Sequence, residues 1–175
     1  MTLTLRNSTP DDLPAMQAIY AQAVARGTGT FELEPPSVAE MAQRRDAVLA
    51  AGWPWLVAQR GEQVLGYAYA AQYRPRRAYR FCVEDSIYLD EAARGQGVGR
   101  ALLTELLARC EASGARQVLA FIGDADNAGS VALHRSLGFQ HAGVLKDCGW
   151  KFERWLDVTV MQKALGDGNR TAPED

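Results

Sequence analysis

Arg94-Gly95-Gln96-Gly97-Val98-Gly99-Arg100 lies between a strand-like run, Ser86-Ile87-Tyr88-Leu89, and a helical run from Ala101 to Leu107. Three glycines in five residues just ahead of a helix leave several backbone N–H groups without an acceptor, and the positive end of the helix dipole points the same way. Such a site suits an anion, above all a phosphate. Glycine also lets the backbone approach closely, with no Cβ in the way. The dinucleotide fingerprint G-x-G-x-x-G does not fit, because Gly95, Gly97 and Gly99 read G-x-G-x-G. The P-loop ending G-K-[ST] does not fit either, since Gly99-Arg100-Ala101 stands in its place. What remains is R-x-x-G-x-G: a phosphate loop of another kind, or a glycine-rich turn that joins strand to helix.

The flanking elements separate these two readings. Thr2 to Arg6 alternates like a strand, and Thr9-Pro10-Asp11-Asp12 is a helix start, with a hydroxyl cap, proline in the first turn and acids behind it. That helix carries Leu13, Met16, Ile19, Tyr20, Ala23 and Val24 on one face and stops near Gly27. A loop from Thr28 to Pro36 leads to a second helix, opened by Ser37 and running to about Ala50. Trp55 to Ala58 and Val64 to Ala71 read as a hairpin, and a basic loop from Arg74 to Arg80 follows. Val83 to Leu89 is the strand that feeds the glycine loop. Beyond it, Val98, Leu102, Leu103, Leu106, Leu107 and Cys110 recur at helical spacing. Val118 to Ile122 reads as a short strand buried on both faces, and Asn127 to Leu137 as a helix stopped by Gly138. Phe139 to Val144 and Trp155 to Gln162 are the last strands. Residues 1–165 are expected to form a single domain, and residues 166–175 a polar, disordered tail.

Composition narrows the classes. A chain of 175 residues, 47% hydrophobic and 23% charged, can bury one core without staples. A formal net charge of −2 gives no nucleic-acid footprint, and no apolar run reaches membrane-spanning length. Cys82, Cys110 and Cys148 are odd in number and widely spaced, which disfavours a disulfide framework or a zinc site and fits a reducing cytoplasm. The first residues lack the anatomy of a signal peptide.

With strands on both sides and a helix behind it, R-x-x-G-x-G resembles the pyrophosphate loop of the GNAT superfamily of N-acetyltransferases, whose signature is Q/R-x-x-G-x-G/A. The element order β, α, α, β, β, β, α, β, α, β, β is also that of the superfamily, an α/β fold with a central mixed sheet and helices on both faces. Further segments resemble one branch of it, the phosphinothricin and methionine sulfoximine acetyltransferases. They are Thr30 to Pro36, Ala78 to Tyr88, Ser130 to Phe139, Gly149-Trp150-Lys151-Phe152 and Trp155-Leu156-Asp157. Glu84-x-Ser86 together with His134 narrows the likeness from superfamily to branch.

The resemblance implies acetyl-CoA as co-substrate, no metal, a small amino-acid-like acceptor and a homodimer. Transfer to an amine needs a base for the α-ammonium, and Glu84 is the candidate; otherwise it is a carboxylate on a solvated strand face. His134 stands where many relatives place a general acid near the cofactor sulfur; otherwise it is a helix-end histidine favoured by the dipole. Ile87, Tyr88 and Leu89 would offer backbone donors to the thioester carbonyl and the pantetheine arm. Arg94, Gly95, Gln96, Gly97, Val98, Gly99 and Arg100 would hold the pyrophosphate, with Ser136 nearby. Asn127 is either a pantetheine contact or a helix cap. For the acceptor, Phe31 and Glu32 come from one loop and Arg74, Arg77, Ala78 and Tyr79 from another, where a guanidinium fork could take a carboxylate. Acetylation of a protein N-terminus or lysine, and a non-catalytic acyl-CoA sensor, are the alternatives.

Overall fold

The computed structural model describes residues 2–124 and 127–173, along which seven strands and four helices follow one another. They are β1 (Leu3–Asn7), α1 (Leu13–Arg26), α2 (Val38–Ala50), β2 (Trp55–Arg60), β3 (Gln63–Gln72), β4 (Cys82–Leu89), α3 (Val98–Ala112), β5 (Gln117–Gly123), α4 (Ala128–Ser136), β6 (Gln140–Lys151) and β7 (Arg154–Ala164). The strands form one sheet in the order β1-β2-β3-β4-β5-β7-β6, antiparallel except where β4 meets β5. The expected element order and mixed sheet are those observed.

Local chemistry accounts for the helix boundaries. Thr9 caps a 3-10 turn over Pro10–Asp12 that runs into α1. The Asp12 carboxylate accepts the Thr9 N–H at 2.7 Å and both terminal nitrogens of Arg6 at 2.7 Å, so the cap also ties α1 to β1. Ser37 Oγ accepts the Glu40 N–H at 3.1 Å and opens α2. Across the sheet the apolar residues divide cleanly. Met16, Ile19, Tyr20, Val24 and Met41 of α1 and α2 pack on Trp55, Val57 and Tyr67. On the opposite face, Val98, Leu102, Leu103 and Leu106 of α3 pack on Leu56, Ala68, Val83, Val118 and Ala120.

Three segments depart from the sequence-based expectations. β5 is not buried on both faces: Val118, Ala120 and Ile122 are buried under α3, whereas Leu119 and Phe121 are half-buried on the other side. β6 runs on to Lys151 instead of ending at Val144. Register shifts between His141 and Gly143 and between Leu145 and Gly149 break its alternation, which hides the strand in the sequence. The polar segment after Leu165, expected to be disordered, forms turns over residues 166–169 and bends as far as Thr171. Leu165 N–H bonds Arg116 O at 3.0 Å, Gly168 N–H bonds Leu165 O at 2.8 Å, and Arg116 reaches Thr171 Oγ1 at 3.2 Å. Glu174 and Asp175 lie outside the described residues.

The Asp12 cap has a pH signature. Burial alone would push its carboxyl up, but Arg6 and Thr9 outweigh that and hold it below the usual carboxylate range. A carboxylate depressed in the folded state adds stability above its unfolded pKa of about 3.9 and loses it as the pH falls through the folded value. Asp12→Asn is therefore expected to cost about 1 kcal/mol at neutral pH. Melting curves taken down to about pH 3 should show the gap to the parent protein narrowing.

Candidate active site

β4 and β5 part company after three ladder pairs. Cys82, Val83 and Glu84 pair with Gln117, Val118 and Leu119, whereas β4 stays on β3 to Leu89 and β5 stays on β7 to Gly123. The β3–β4 register decides which backbone groups face the resulting gap. Tyr73 N–H bonds Cys82 O and Asp90 N–H bonds Leu65 O, so the even-numbered residues of β4 exchange hydrogen bonds with β3. The C=O of Asp85, beyond the last ladder pair, and the N–H and C=O groups of Ile87 and Leu89 therefore turn to the gap. Tyr88, expected as a third donor beside Ile87 and Leu89, faces back to β3. Its ring is core, edge-on to Tyr20 at 4.8 Å and tilted on Tyr67 at 5.4 Å.

The glycine loop joins the end of β4 to α3. Gly95 and Gly97 have φ of 73° and 78°, and a Cβ on either would meet nothing within 4 Å. Glycine is needed there for the turn, and the loop surface is open. Gly99 serves packing instead: a Cβ would come within 3.1 Å of Leu89 and 3.4 Å of Leu133. Ala101 N–H, bonded to Gly97 O at 3.0 Å, closes the first turn of α3, so the N–H groups of Val98, Gly99 and Arg100 are its unpaired donors. Arg94 is exposed. Gln96 folds back on Ala92 O at 2.6 Å and accepts from Arg60 at 3.0 Å. Arg100 donates to Ser136 Oγ at 3.0 Å, fastening α3 to the end of α4. Asn127 accepts the Ser130 N–H at 3.4 Å and so caps α4. An open turn, a helix start and unpaired N–H groups are together the right surroundings for a pyrophosphate.

His134 does not reach this surface. Its ring is 2% exposed on the α3 and α4 side of the sheet; Nδ1 lies 2.8 Å from Ser130 O and Nε2 3.0 Å from Asp85 Oδ2. A carbonyl can only accept, so Nδ1 carries a proton, and Nε2 faces a carboxylate. Burial would lower the imidazole pKa, but Asp85 and the Ser130 carbonyl outweigh it and hold it above the ordinary value. With both nitrogens committed, the ring has no proton to offer a thiolate. The residue expected as general acid is here one half of a buried pair that ties α4 to β4. Cys110, close behind, has its thiol pushed up to about 12 by burial and the Asp85 charge.

Glu84 points the other way, as alternation along β4 requires. It is half-buried, and among the described residues no side chain donates to its carboxylate. Burial first, and the Asp85 charge second, push its pKa up. Two places along, Ser86 stands opposite Tyr69 of β3 in the ladder. Phe121 of β5 lies on the same face, stacked on Tyr73 at 5.7 Å, and Tyr73 meets Tyr79 edge-on at 5.5 Å. From the other side come Phe31, whose ring covers Gly123 and Gly149, and Glu32, whose carboxylate accepts from Arg44 at 2.6 Å. Arg74, Arg77, Ala78 and Tyr79 are exposed at the rim. Sequence reasoning missed Tyr69, Tyr73 and Phe121. The signal available was the alternation of β5, which puts Leu119, Phe121 and Gly123 on one face. Among the described residues no group of three His, Cys, Asp or Glu is placed to hold a metal.

The acetyltransferase (GNAT) family model matches residues 16–139. The chain is 53% identical over 171 residues to the phosphinothricin N-acetyltransferase of Alcaligenes faecalis, covering 98% of this chain and 87% of that one. It is 40% identical to the L-methionine sulfoximine/L-methionine sulfone acetyltransferase of Pseudomonas paraeruginosa, over 99% of this chain and 100% of the other. A phosphinothricin acetyltransferase from Sinorhizobium meliloti, crystallised with acetyl-CoA, superposes with a TM-score of 0.96 at 48% identity, covering 100% of this chain and 95% of that one.

Removing the imidazole would strand a buried carboxylate. His134→Gln is expected to cost about 3–5 kcal/mol of stability. A base whose pKa is raised by folding gives its full contribution below the unfolded value of about 6.5 and loses it as the pH rises through the folded one. Urea titrations should therefore find the widest gap to the parent on the acid side of that value and a narrowing gap above it.

Proposed function

Since the chain belongs to the acetyltransferase (GNAT) family, in its phosphinothricin and methionine sulfoximine acetyltransferase branch, we propose that it acetylates the α-amino group of a phosphinothricin- or methionine-sulfoximine-like amino acid. The observation that carries this is the fork at Glu84. There a carboxylate with no side-chain donor among the described residues sits where β4 leaves β5, next to backbone N–H groups that lack a strand partner.

Bound acetyl-CoA supplies the activated acetyl thioester. The N–H groups from Gly95 to Arg100 hold its pyrophosphate, and Ile87 and Leu89 offer main-chain partners along the gap. Asn127 and Ser136 stay at the rim through the cap and the Arg100 bond. Glu84, its pKa raised toward neutrality, takes a proton from the α-ammonium directly or through one water. Attack by the freed amine on the thioester carbon breaks the C–S bond and forms the amide; the thiolate leaves and the second amine proton passes to solvent, while a gap-facing N–H of β4 steadies the carbonyl oxygen. Phe31, Tyr73, Tyr79 and Phe121 enclose the acceptor side chain. Arg74 and Arg77, exposed with Ala78, present positive charge to its carboxylate, and Glu32, held by Arg44, lines the pocket opposite them. A thiolate leaves without help at neutral pH, so the loss of His134 as an acid costs the chemistry little.

An exposed apolar face supports a homodimer. Val144, Leu145 and Trp150 of β6 and Trp155 of β7 stand out to solvent, with Trp150 and Trp155 edge-on at 5.1 Å, and β6 is an edge strand. Free cysteines at 82, 110 and 148 support the cytoplasm as its place, and among the described residues no helix is long and apolar enough to cross a membrane.

Thiol release from acetyl-CoA, measured with phosphinothricin, methionine sulfoximine, a panel of free amino acids and a peptide, tests the activity. Release with the first two is expected, and release with the peptide alone would overturn the reading. Glu84→Gln should lower turnover about 10²-fold or more with acetyl-CoA affinity unchanged. In the parent, the rate should fall as the pH drops through the raised Glu84 value, and the variant should lack that limb. Sedimentation at micromolar concentration is expected to show a dimer, and Trp155→Asp to shift it toward monomer.

A further inference from the structure

Lys151, the last residue of β6, is 3% exposed. Its ammonium donates to Gly27 O and Thr30 O, both at 2.9 Å, across 124 and 121 residues of chain. Among the described residues no carboxylate bonds to it. Besides these carbonyls it meets the face of Phe152, 5.1 Å from the ring centre, and burying an ammonium with no carboxylate partner is costly. The two carbonyls bracket the start of the segment that leaves α1 and carries Phe31 and Glu32.

The same segment is gripped elsewhere. Tyr20 and Thr30 hydroxyls bond at 2.8 Å. The Phe31 ring lies in a socket made by two glycines: a Cβ on Gly149 would stand 2.2 Å from it, and one on Gly123 2.8 Å. Gly149 and Lys151, two residues apart on β6, present the same face to the segment. The β6–β7 hairpin turns through Phe152 and Glu153, both left-handed at φ of 52° and 57°, directly after the last ladder pair of Lys151 with Arg154. Left-handed backbone is costly for a bulky residue, and here it ends β6 at the residue whose ammonium must turn inward.

We propose that Lys151 is a positioning residue for the acceptor: by holding the carbonyls of Gly27 and Thr30 it fixes Phe31 and Glu32 as a preformed wall of the pocket. This rests on the reading of that segment as part of the acceptor site. It makes the wall a rigid part of the fold, not a loop that closes over substrate, so the acceptor meets a surface whose ordering cost is already met.

The test compares Lys151→Met, Lys151→Arg and Gly149→Ala with the parent. Lys151→Met is expected to raise the acceptor KM about tenfold or more while leaving acetyl-CoA affinity unchanged, and to speed amide hydrogen exchange at residues 28–32 but not in β2 or β3. Lys151→Arg should restore most of the acceptor affinity. Gly149→Ala keeps the ammonium but fills the Phe31 socket, and should raise the acceptor KM in the same way; it carries the test if Lys151→Met does not fold. An unchanged KM with unchanged exchange at 28–32 would overturn the proposal. So would a uniform loss of stability and acetyl-CoA affinity with no selective effect on the acceptor. If the parent acetylates no amino acid, the activity reading fails alone, and the exchange data still decide whether Lys151 holds the wall.

Discussion

A parallel pair of strands that stops pairing in the middle of a sheet leaves peptide groups with nowhere to bond. In this protein β4 and β5 share three ladder pairs and then open, so the C=O of Asp85 and the N–H and C=O groups of Ile87 and Leu89 face a gap instead of a neighbour. Buried backbone groups almost always find partners, and a gap of this kind is stable only where water or a ligand supplies them. The glycine loop and the start of α3 add unpaired N–H groups at one end of β4. The carboxylates of Glu84 and Asp85 mark its other end, one on each face. The open backbone groups and the outward carboxylate are thus both consequences of a single interruption in the ladder.

Because adjacent residues of a strand point to opposite faces, the two carboxylates at the fork live in different surroundings. Asp85 goes inward, where His134 and the Ser130 carbonyl make it part of a buried pair. Glu84 faces the acceptor side with no side-chain donor among the described residues. The inner charge also acts on the outer one: the Asp85 carboxylate helps push the Glu84 pKa up, toward the range a base needs at neutral pH. The buried pair that anchors α4 thus lies directly behind the outward carboxylate.

What the sequence made legible was local. Thr9-Pro10, Ser37 and the glycine loop each announce a boundary through residues a few places apart, and the apolar periodicity of α3 needs only its own turns. The partner of His134 lies 49 residues away on β4, and nothing in Ser130 to Gly138 tells an outward ring from an inward one. The resemblance offers Tyr88 as a donor together with Ile87 and Leu89; only the register with β3 shows that its peptide is already used. β6 was cut short because its bulges spoil the period by which a strand is recognised. Lys151 drew no attention as a clamp because its acceptors are carbonyls, present at every residue and so invisible as a pattern.

Only three ladder pairs join β4 to β5, so the two halves of the sheet need other ties if the fork is to keep a fixed width. On the α3 side the tie is α3 itself, whose residues pack on Val83 of β4 and on Val118 and Ala120 of β5 together. On the acceptor side α1 and α2 pack chiefly on β2, β3 and β4. The segment from Gly27 to Glu32 spans the remainder: it leaves α1, bonds Tyr20 next to Tyr88 of β4, and lands on Gly123 of β5 and on Gly149 and Lys151 of β6. It is a strut across the open side of the fork as well as a wall of the pocket. A fork held on both faces keeps the gap-facing N–H groups at a constant distance from Glu84. That constancy is what preorganised stabilisation of a developing oxyanion requires, since donors that must move into place spend part of their effect on moving.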